Sequence, residues 1–257
     1  MIINLENLKK FMFINNINPT LLQLGPFEIR YYGIIFALGF LITLFYLKWQ
    51  VKKKNLDLSD EQIDNLIFYC IIGVVIFARL FHIIFWEPKF YLNNPLEIFK
   101  VWRGGLAYYG GLAGVLIAVM YFCKKNRFSF LKLMDFLSIP AIFGLALGRI
   151  ANFTNSELYG TVTNLSWCVQ FQNVEGCRHP YQIYSAIKRF SIVIYLALID
   201  KGKHKDGFVF ASALTLMSLG RFLLDFVRED TRFLFTPGQY LSIIVLIIGI
   251  YLYRKTR

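Results

Sequence analysis

Histidine is scarce in this chain. The three residues, His82, His179 and His204, lie on different segments and show none of the spacings by which side chains share a metal ion. No metal and no cofactor are expected. Acidic residues are few, 16 against 28 lysines and arginines, which leaves a net charge of +12. Interdomain linkers, low-complexity tracts and internal repeats are missing too, which argues against separate domains and against the inverted halves of a transporter. Residues 1–257 therefore read as a single integral membrane domain. The first 28 residues lack a continuous apolar core followed by a cleavage site, so no cleavable signal peptide is expected and the first long helix must direct insertion. Residues 1–28, with "LENLKKFMF" at loosely helical spacing, are expected as an amphipathic segment on the outer surface.

What the chain has in excess is apolar surface. It is 56% hydrophobic and 18% aromatic, more than one soluble core would bury. Seven runs approach the roughly 17 to 25 residues needed to cross about 30 Å of hydrocarbon: residues 29–47, 62–86, 104–122, 133–153, 181–199, 207–227 and 239–253. Lipid offers no partner to backbone amides and these runs are too long for barrel strands, so they must be helices. The expected fold is an all-α polytopic membrane protein of seven transmembrane helices. Fourteen of the basic residues fall in alternate connections, the clusters Lys48–Lys54, Lys124–Lys132, Lys201–Lys205 and Arg254–Arg257, against eight in the remaining segments. Short loops rich in Lys and Arg stay in the cytoplasm. The N-terminus is thus expected in the periplasm and the C-terminus in the cytoplasm. The charge reports topology, and no nucleic-acid partner is expected.

The long connections 87–103 and 154–180 are then both external, and function in a polytopic protein tends to sit where loops meet helix ends. "LSWCVQF" reads as a short strand. Cys168 and Cys177 fall within the second of these loops, where an oxidising periplasm permits a disulfide that spacing alone leaves open. Cys70 and Cys123 read as packing thiols. Gly110 with Gly114, and Gly144 with Gly148, have the spacing that lets helices approach closely. The cluster "RGGLAYYGGLAG" is denser than packing requires and suggests backbone brought near a ligand.

Six cations, Arg30, Arg79, Arg149, Lys188, Arg189 and Arg221, sit within or at the edges of the apolar runs. Facing lipid, each would cost several kcal/mol, so each should face protein, a wet cavity or the interface. In "GRFLLDFVRED", Asp225 and Arg228 follow Arg221 at i+4 and i+7, a charged stripe on one helix. An internal Arg–Asp pair is the ordinary account, and an anion site is the functional one. Arg149, in "GRIANFTNSELYG", has no acid in the preceding turn, so it either snorkels to the interface or meets an external anion. A guanidinium fork matches a phosphate and keeps its charge, so two such arginines suggest a phospholipid head group. His82, three residues after Arg79, reads as a packed histidine, and Tyr32 has the ordinary account of an interfacial anchor. Lys188 and Arg189 have no account from sequence.

"GRIANFTNSELYG" closely resembles the signature of the bacterial prolipoprotein diacylglyceryl transferases, supplying Gly148, Arg149, Asn152, Phe153, Asn155, Glu157 and Gly160. "RYYG", "WRGGLAYYGGLAG", "RHPYQIY", "GRFLLDFVRED" and "PGQYLS" extend the likeness along most of the chain. The resemblance implies a multi-pass protein of the bacterial inner membrane with its active site toward the periplasm. It implies transfer of a diacylglyceryl group from phosphatidylglycerol to the lipobox cysteine of a prelipoprotein, which the enzyme meets together with its signal peptide. Arg149 would bind the head group and Arg221 would clamp the leaving group. Asn152 and Glu157 would orient the head group or Arg149, Tyr32 would donate a hydrogen bond, and Asp225 and Arg228 would complete the catalytic set with Glu157 and Tyr109. Gly110, Gly111 and Gly160 would be structural residues near the site. Three departures stand out: Tyr109 replaces the histidine often assigned as base, Asp225 replaces a glutamate, and Ser185 replaces a glutamate just before Lys188 and Arg189. Rival readings are a divergent or inactive paralogue with a changed acceptor, and an anion transporter.

Overall fold

The computed structural model describes residues 13–24, 27–53, 56–202, 204–231 and 233–257. Strands β1 (Phe13–Asn15), β2 (Thr20–Leu24) and β3 (Phe27–Arg30) precede helices α1 (Tyr31–Lys52), α2 (Asp60–Phe85) and the short α3 (Pro88–Asn93). There follow α4 (Tyr108–Asn126), α5 (Phe130–Thr154), β4 (Val169–Phe171), α6 (Tyr181–Ile199), α7 (Phe208–Leu224) and α8 (Pro237–Thr256). The long helices coincide with the seven apolar runs. Their outward surfaces are greasy: Phe45, Phe85, Ile194 and Ile247 are each 64% or more exposed, a pattern that lipid tolerates and water does not. Among the described residues, six helices are long and apolar enough to cross a membrane. The 19-residue α4 is not among the six, because three glycines and the terminal Lys124 and Lys125 dilute its apolar run.

Within the segment before α1, Phe13–Asn15, Thr20–Leu24 and Phe27–Arg30 are strands. β2 and β3 make an antiparallel hairpin, and β1 pairs in parallel with β4, Phe13 opposite Val169. Apart from Phe13, the stretch "LENLKKFMF" lies outside the described residues. Thr20, Phe27 and Ile29 are residue types that favour extended backbone, and β4 supplies an edge that a helix could not pair with.

The chain divides into two compact units, Leu44–Leu133 and Met1–Thr43 with Met134–Arg257. In the first, α2 packs against α4 through glycine. A Cβ at Gly110 would fall 2.6 Å from Phe81 Cβ and 2.9 Å from Ala78 Cα, and one at Gly114 would fall 3.0 Å from the Val74 nitrogen. Ser59 and Gln62 form a capping box at the start of α2, and Gln62 Nε2 donates to Asn126 Oδ1 at the end of α4 (3.0 Å). Arg79, 5% exposed, spends its guanidinium on four carbonyls: Glu97 (2.5 Å), Ile98 (3.0 Å), Gly104 (2.6 Å) and Gly105 (3.1 Å). Gly104 and Gly105 have φ of 89° and 72°, which turns their carbonyls inward. The glycine density read from sequence as room for a ligand is used, at these two positions, to wrap the protein's own arginine. His82 stacks on Trp86 beside it, as the packed histidine expected.

In the second unit α7 packs against both α6 and α8. Asp135, buried on α5, accepts the N–H groups of Gly207 (2.6 Å) and Phe210 (2.7 Å), so a carboxylate from another helix caps α7. Thr236 and Gln239 form a capping box at α8, and Gln239 Nε2 also donates to Phe222 O (3.1 Å), fixing the start of α8 to the end of α7. Gly144 faces Gly39 across α5 and α1, whereas Gly148 has nothing within 4 Å of a notional Cβ and so is not a packing glycine.

Candidate functional site

The polar residues after Arg149 lie where α5 ends. Beyond Thr154 the chain turns through Ser156 and Leu158, with φ of 55° and 56°. Such left-handed backbone costs a residue with a side chain about 1 kcal/mol or more. The turn folds Glu157 back on the helix. Its N–H donates to Asn152 O (3.1 Å), and its Oε1 accepts from Asn152 Nδ2 and Asn155 Nδ2 at 3.0 Å each. Arg149 Nη1 donates to Asn152 Oδ1 at 3.5 Å. Asn152 therefore bridges the guanidinium and the carboxylate. Gln182 of α6 donates to Glu157 O (2.7 Å) and the buried Asn15 of β1 to Phe153 O (2.6 Å), so a strand far away in sequence holds the end of α5.

The second half is built around Tyr181, which is 2% exposed. Its hydroxyl donates to Asp225 Oδ1 at 2.6 Å, and Arg221 Nε lies 3.4 Å from Asp225 Oδ2. Asp225 is wholly buried. The guanidinium carbons of Arg149 and Arg228 lie 5.9 and 5.8 Å from the centre of the Tyr181 ring, near the limit of cation–π attraction. Three arginines from α5 and the α7 segment thus gather about one tyrosine and its carboxylate.

Arg228 arrives by a route other than the helical stripe expected from its i+7 spacing. The α-helix ends at Leu224, Asp225–Val227 form a 3-10 turn, and Arg228 is extended. It pairs with Gly160 instead. Gly160 N donates to His179 O (3.0 Å) and Thr161 N to Val227 O (2.9 Å), so residues 160–161 lie between the start of α6 and the end of α7. A Cβ at Gly160 would sit 2.6 Å from Val227 O and from His179 Cβ. The glycine is a requirement of close approach. Arg178 reinforces the junction, donating to Glu229 Oε2 (3.1 Å) and Glu175 O (3.0 Å). Cys168 and Cys177 are joined as a disulfide, Cα atoms 5.5 Å apart, behind the same loop. Burial lowers the pKa of His179 below the ordinary histidine value.

Arg149, Asn152, Glu157, Gly160, Arg221, Asp225 and Arg228 are therefore gathered at one end of α5, α6 and α7. Tyr32 is the second residue of α1 and 43% exposed; Tyr109 is the second residue of α4 and 48% exposed, in the unit Leu44–Leu133. Gly110 packs α4 on α2, and a Cβ at Gly111 would make ordinary contact with Val74 and Ala78. Sequence reasoning missed Tyr181, Gln182 and Gly238. A Cβ at Gly238, the second residue of α8, would fall 2.6 Å from Asp225 Oδ2 and 2.7 Å from Arg221 Nη2. The first two lie in "RHPYQIY" and the third in "PGQYLS", both quoted for resemblance without a role.

Helices long and apolar enough to cross a membrane, with arginines, amides and carboxylates collected where they end, define a helical membrane protein with a polar cluster at its helix ends. The particular family is fixed by comparison. Residues 19–254 match the family model described as prolipoprotein diacylglyceryl transferase. A phosphatidylglycerol–prolipoprotein diacylglyceryl transferase of Tolumonas auensis is 39% identical over 250 residues, covering 94% of this chain and 96% of that protein. Proteins of the same name from Rickettsia canadensis and Geobacter sulfurreducens are each 36% identical, covering 93% and 91% of this chain and 96% and 94% of their own lengths. The chain belongs to the prolipoprotein diacylglyceryl transferase family and is a transferase.

Proposed function

We propose that this enzyme transfers the diacylglyceryl group of phosphatidylglycerol to the lipobox cysteine of prelipoproteins, the first step of lipoprotein maturation. The cysteine sulfur attacks the glyceryl carbon that carries the phosphate, a C–S bond forms, and the C–O bond breaks. The electron pair leaves on glycerol 1-phosphate, and the thiol gives up its proton. The relatives carry the substrates in their names. The observation that carries the reading here is the convergence of Arg149, Arg221 and Arg228 on Tyr181 and Asp225. Charge moving onto the departing phosphate needs cations already in place, because an ordered site in low dielectric stabilises it without reorganisation at the moment of reaction.

Arg149 binds the head group, oriented through Asn152 and Glu157, and Arg221 clamps the leaving phosphate, oriented by Asp225. Arg228 closes the cluster, Tyr32 donates to the lipid, and Gly110, Gly111 and Gly160 are structural. Tyr109 is the polar group on the thiol side. A thiol with a pKa of about 8.5 is already a few per cent thiolate at pH 7, so a hydrogen-bond donor at this position suffices. In this reading seven helices cross the bacterial inner membrane as one domain, N-terminus periplasmic and C-terminus cytoplasmic, with the site toward the periplasm. No cofactor, metal or nucleic acid takes part. Purified protein should lipidate a lipobox peptide with phosphatidylglycerol in detergent, and Arg149→Ala should abolish transfer while leaving an inserted, folded protein. Absence of transfer by the unmodified enzyme, or most activity surviving in that variant, would overturn the reading.

A further inference from the structure

Lys188 lies in the middle of the membrane chemistry and takes no part in the cluster described so far. It sits on α6 seven residues after Tyr181, on the same stripe of the helix as Tyr181 and Ser185. Its neighbour Arg189 turns back on its own helix, donating to Ser185 O (2.9 Å) and Ser185 Oγ. Lys188 instead crosses to α7. A Cβ at Gly220 would lie 3.3 Å from Lys188 Cγ and 3.4 Å from Cε, and closer still to Cδ. The aliphatic stem thus lies flat over the one position of α7 that has no side chain, immediately before Arg221. The ammonium forms no hydrogen bond or ion pair among the described residues. Arg189, Arg149 and Arg221 repel it, and Asp225 attracts it. A lysine held at half-burial among three like charges has one attracting carboxylate beside it, Asp225, and that carboxylate already faces Arg221.

We infer that Lys188 is a fourth cation of the phosphate site, beside Arg149, Arg221 and Arg228, held for the second negative charge that appears on the phosphate as the C–O bond breaks. The inference rests on the proposed reaction. Phosphatidylglycerol is a phosphodiester with one negative charge. The glycerol 1-phosphate that departs is a monoester with a second pKa of about 6 and so approaches two negative charges at pH 7. A cation that meets mainly the second charge binds the transition state more than the ground state, and so raises turnover rather than affinity for lipid. Gly220 is the residue that makes room for it.

The probes are glycerol 1-phosphate and the phosphodiester glycerophosphoglycerol, with binding to the purified enzyme measured by calorimetry, alongside steady-state lipidation. Lys188→Met keeps the stem and removes the charge. It should weaken glycerol 1-phosphate about tenfold or more and glycerophosphoglycerol no more than about threefold, and lower kcat about tenfold or more with KM for phosphatidylglycerol little changed. Lys188→Arg should restore most of both losses. A merely structural role would weaken the two probes alike. Equal weakening of both, unchanged binding of the monoester, or failure of glycerol 1-phosphate to bind the unmodified enzyme would each overturn the inference. If the unmodified enzyme transfers no lipid yet binds the monoester through Lys188, the anion site stands and the proposed reaction falls.

Discussion

At the scale of single residues, the site is made as much by absent side chains as by charged ones. Gly160 lets three segments meet, and Gly238 lets α8 begin against the Arg221–Asp225 pair. Gly238→Ala should push the pair apart and lower turnover about tenfold or more, with helical content unchanged by circular dichroism. Tyr181→Phe removes the donor to a wholly buried carboxylate and should cost about 1–3 kcal/mol of stability, read as thermal melting in detergent, with a fall in activity. Tyr109→Phe asks whether its hydroxyl matters: a fall in kcat is expected, and unchanged turnover would make the residue a packing aromatic. His179 gives a pH dependence outside the membrane helices. Burial makes its ring bind a proton less readily in the folded protein than in the unfolded chain. Its contribution to stability is complete above about pH 6.5 and is lost as pH falls through the lowered value. The loss of melting temperature between pH 7.5 and 5.5 should therefore be smaller in His179→Gln than in the unmodified protein.

At the scale of elements, the helices are placed by their ends. The N-terminus of α7 is capped by Asp135 of α5, and that of α8 by its own Thr236, with Gln239 reaching Phe222. Asp135→Ala should cost about 0.5–2 kcal/mol, the range for losing a cap, and Asp135→Asn should cost less because an acceptor remains. These interactions join carboxyl and amide groups to segments 72 or 17 residues away, which is why a reading of periodicity found the helices but not their anchors. Nor did it reach the backbone of the turn after α5. Left-handed Ser156 and Leu158 are stabilised by contacts from Gln182 and Asn15 that no local pattern announces.

At the scale of the whole molecule, the charge bias of the loops and the apolar outer faces of the helices belong together. Single cysteines at Lys201 and Thr231 should label from opposite sides of the membrane with an impermeant maleimide, Lys201→Cys from the cytoplasm and Thr231→Cys from the periplasm. Labelling of both from one side would refute the proposed topology. The Cys168–Cys177 bridge closes a short loop that lies against the junction of Gly160, Arg178 and Arg228. Reducing it should lower stability by about 2–3 kcal/mol on the loop-entropy estimate, with the lipidation assay losing activity in step.

The sequence by itself determined the membrane class, the helical runs, the family and most of the charged residues, because hydropathy, charge bias and a contiguous motif are local properties. Only the tertiary structure decided what those charges face. Arg79 and Arg149 look alike in sequence, an arginine within an apolar run. One is wrapped by four backbone carbonyls, and the other reaches Asn152 and the ring of Tyr181. Which partner a buried cation finds depends on segments brought to it from elsewhere in the chain, and at Lys188 the lack of a hydrogen bond or ion pair among the described residues is what points to a ligand.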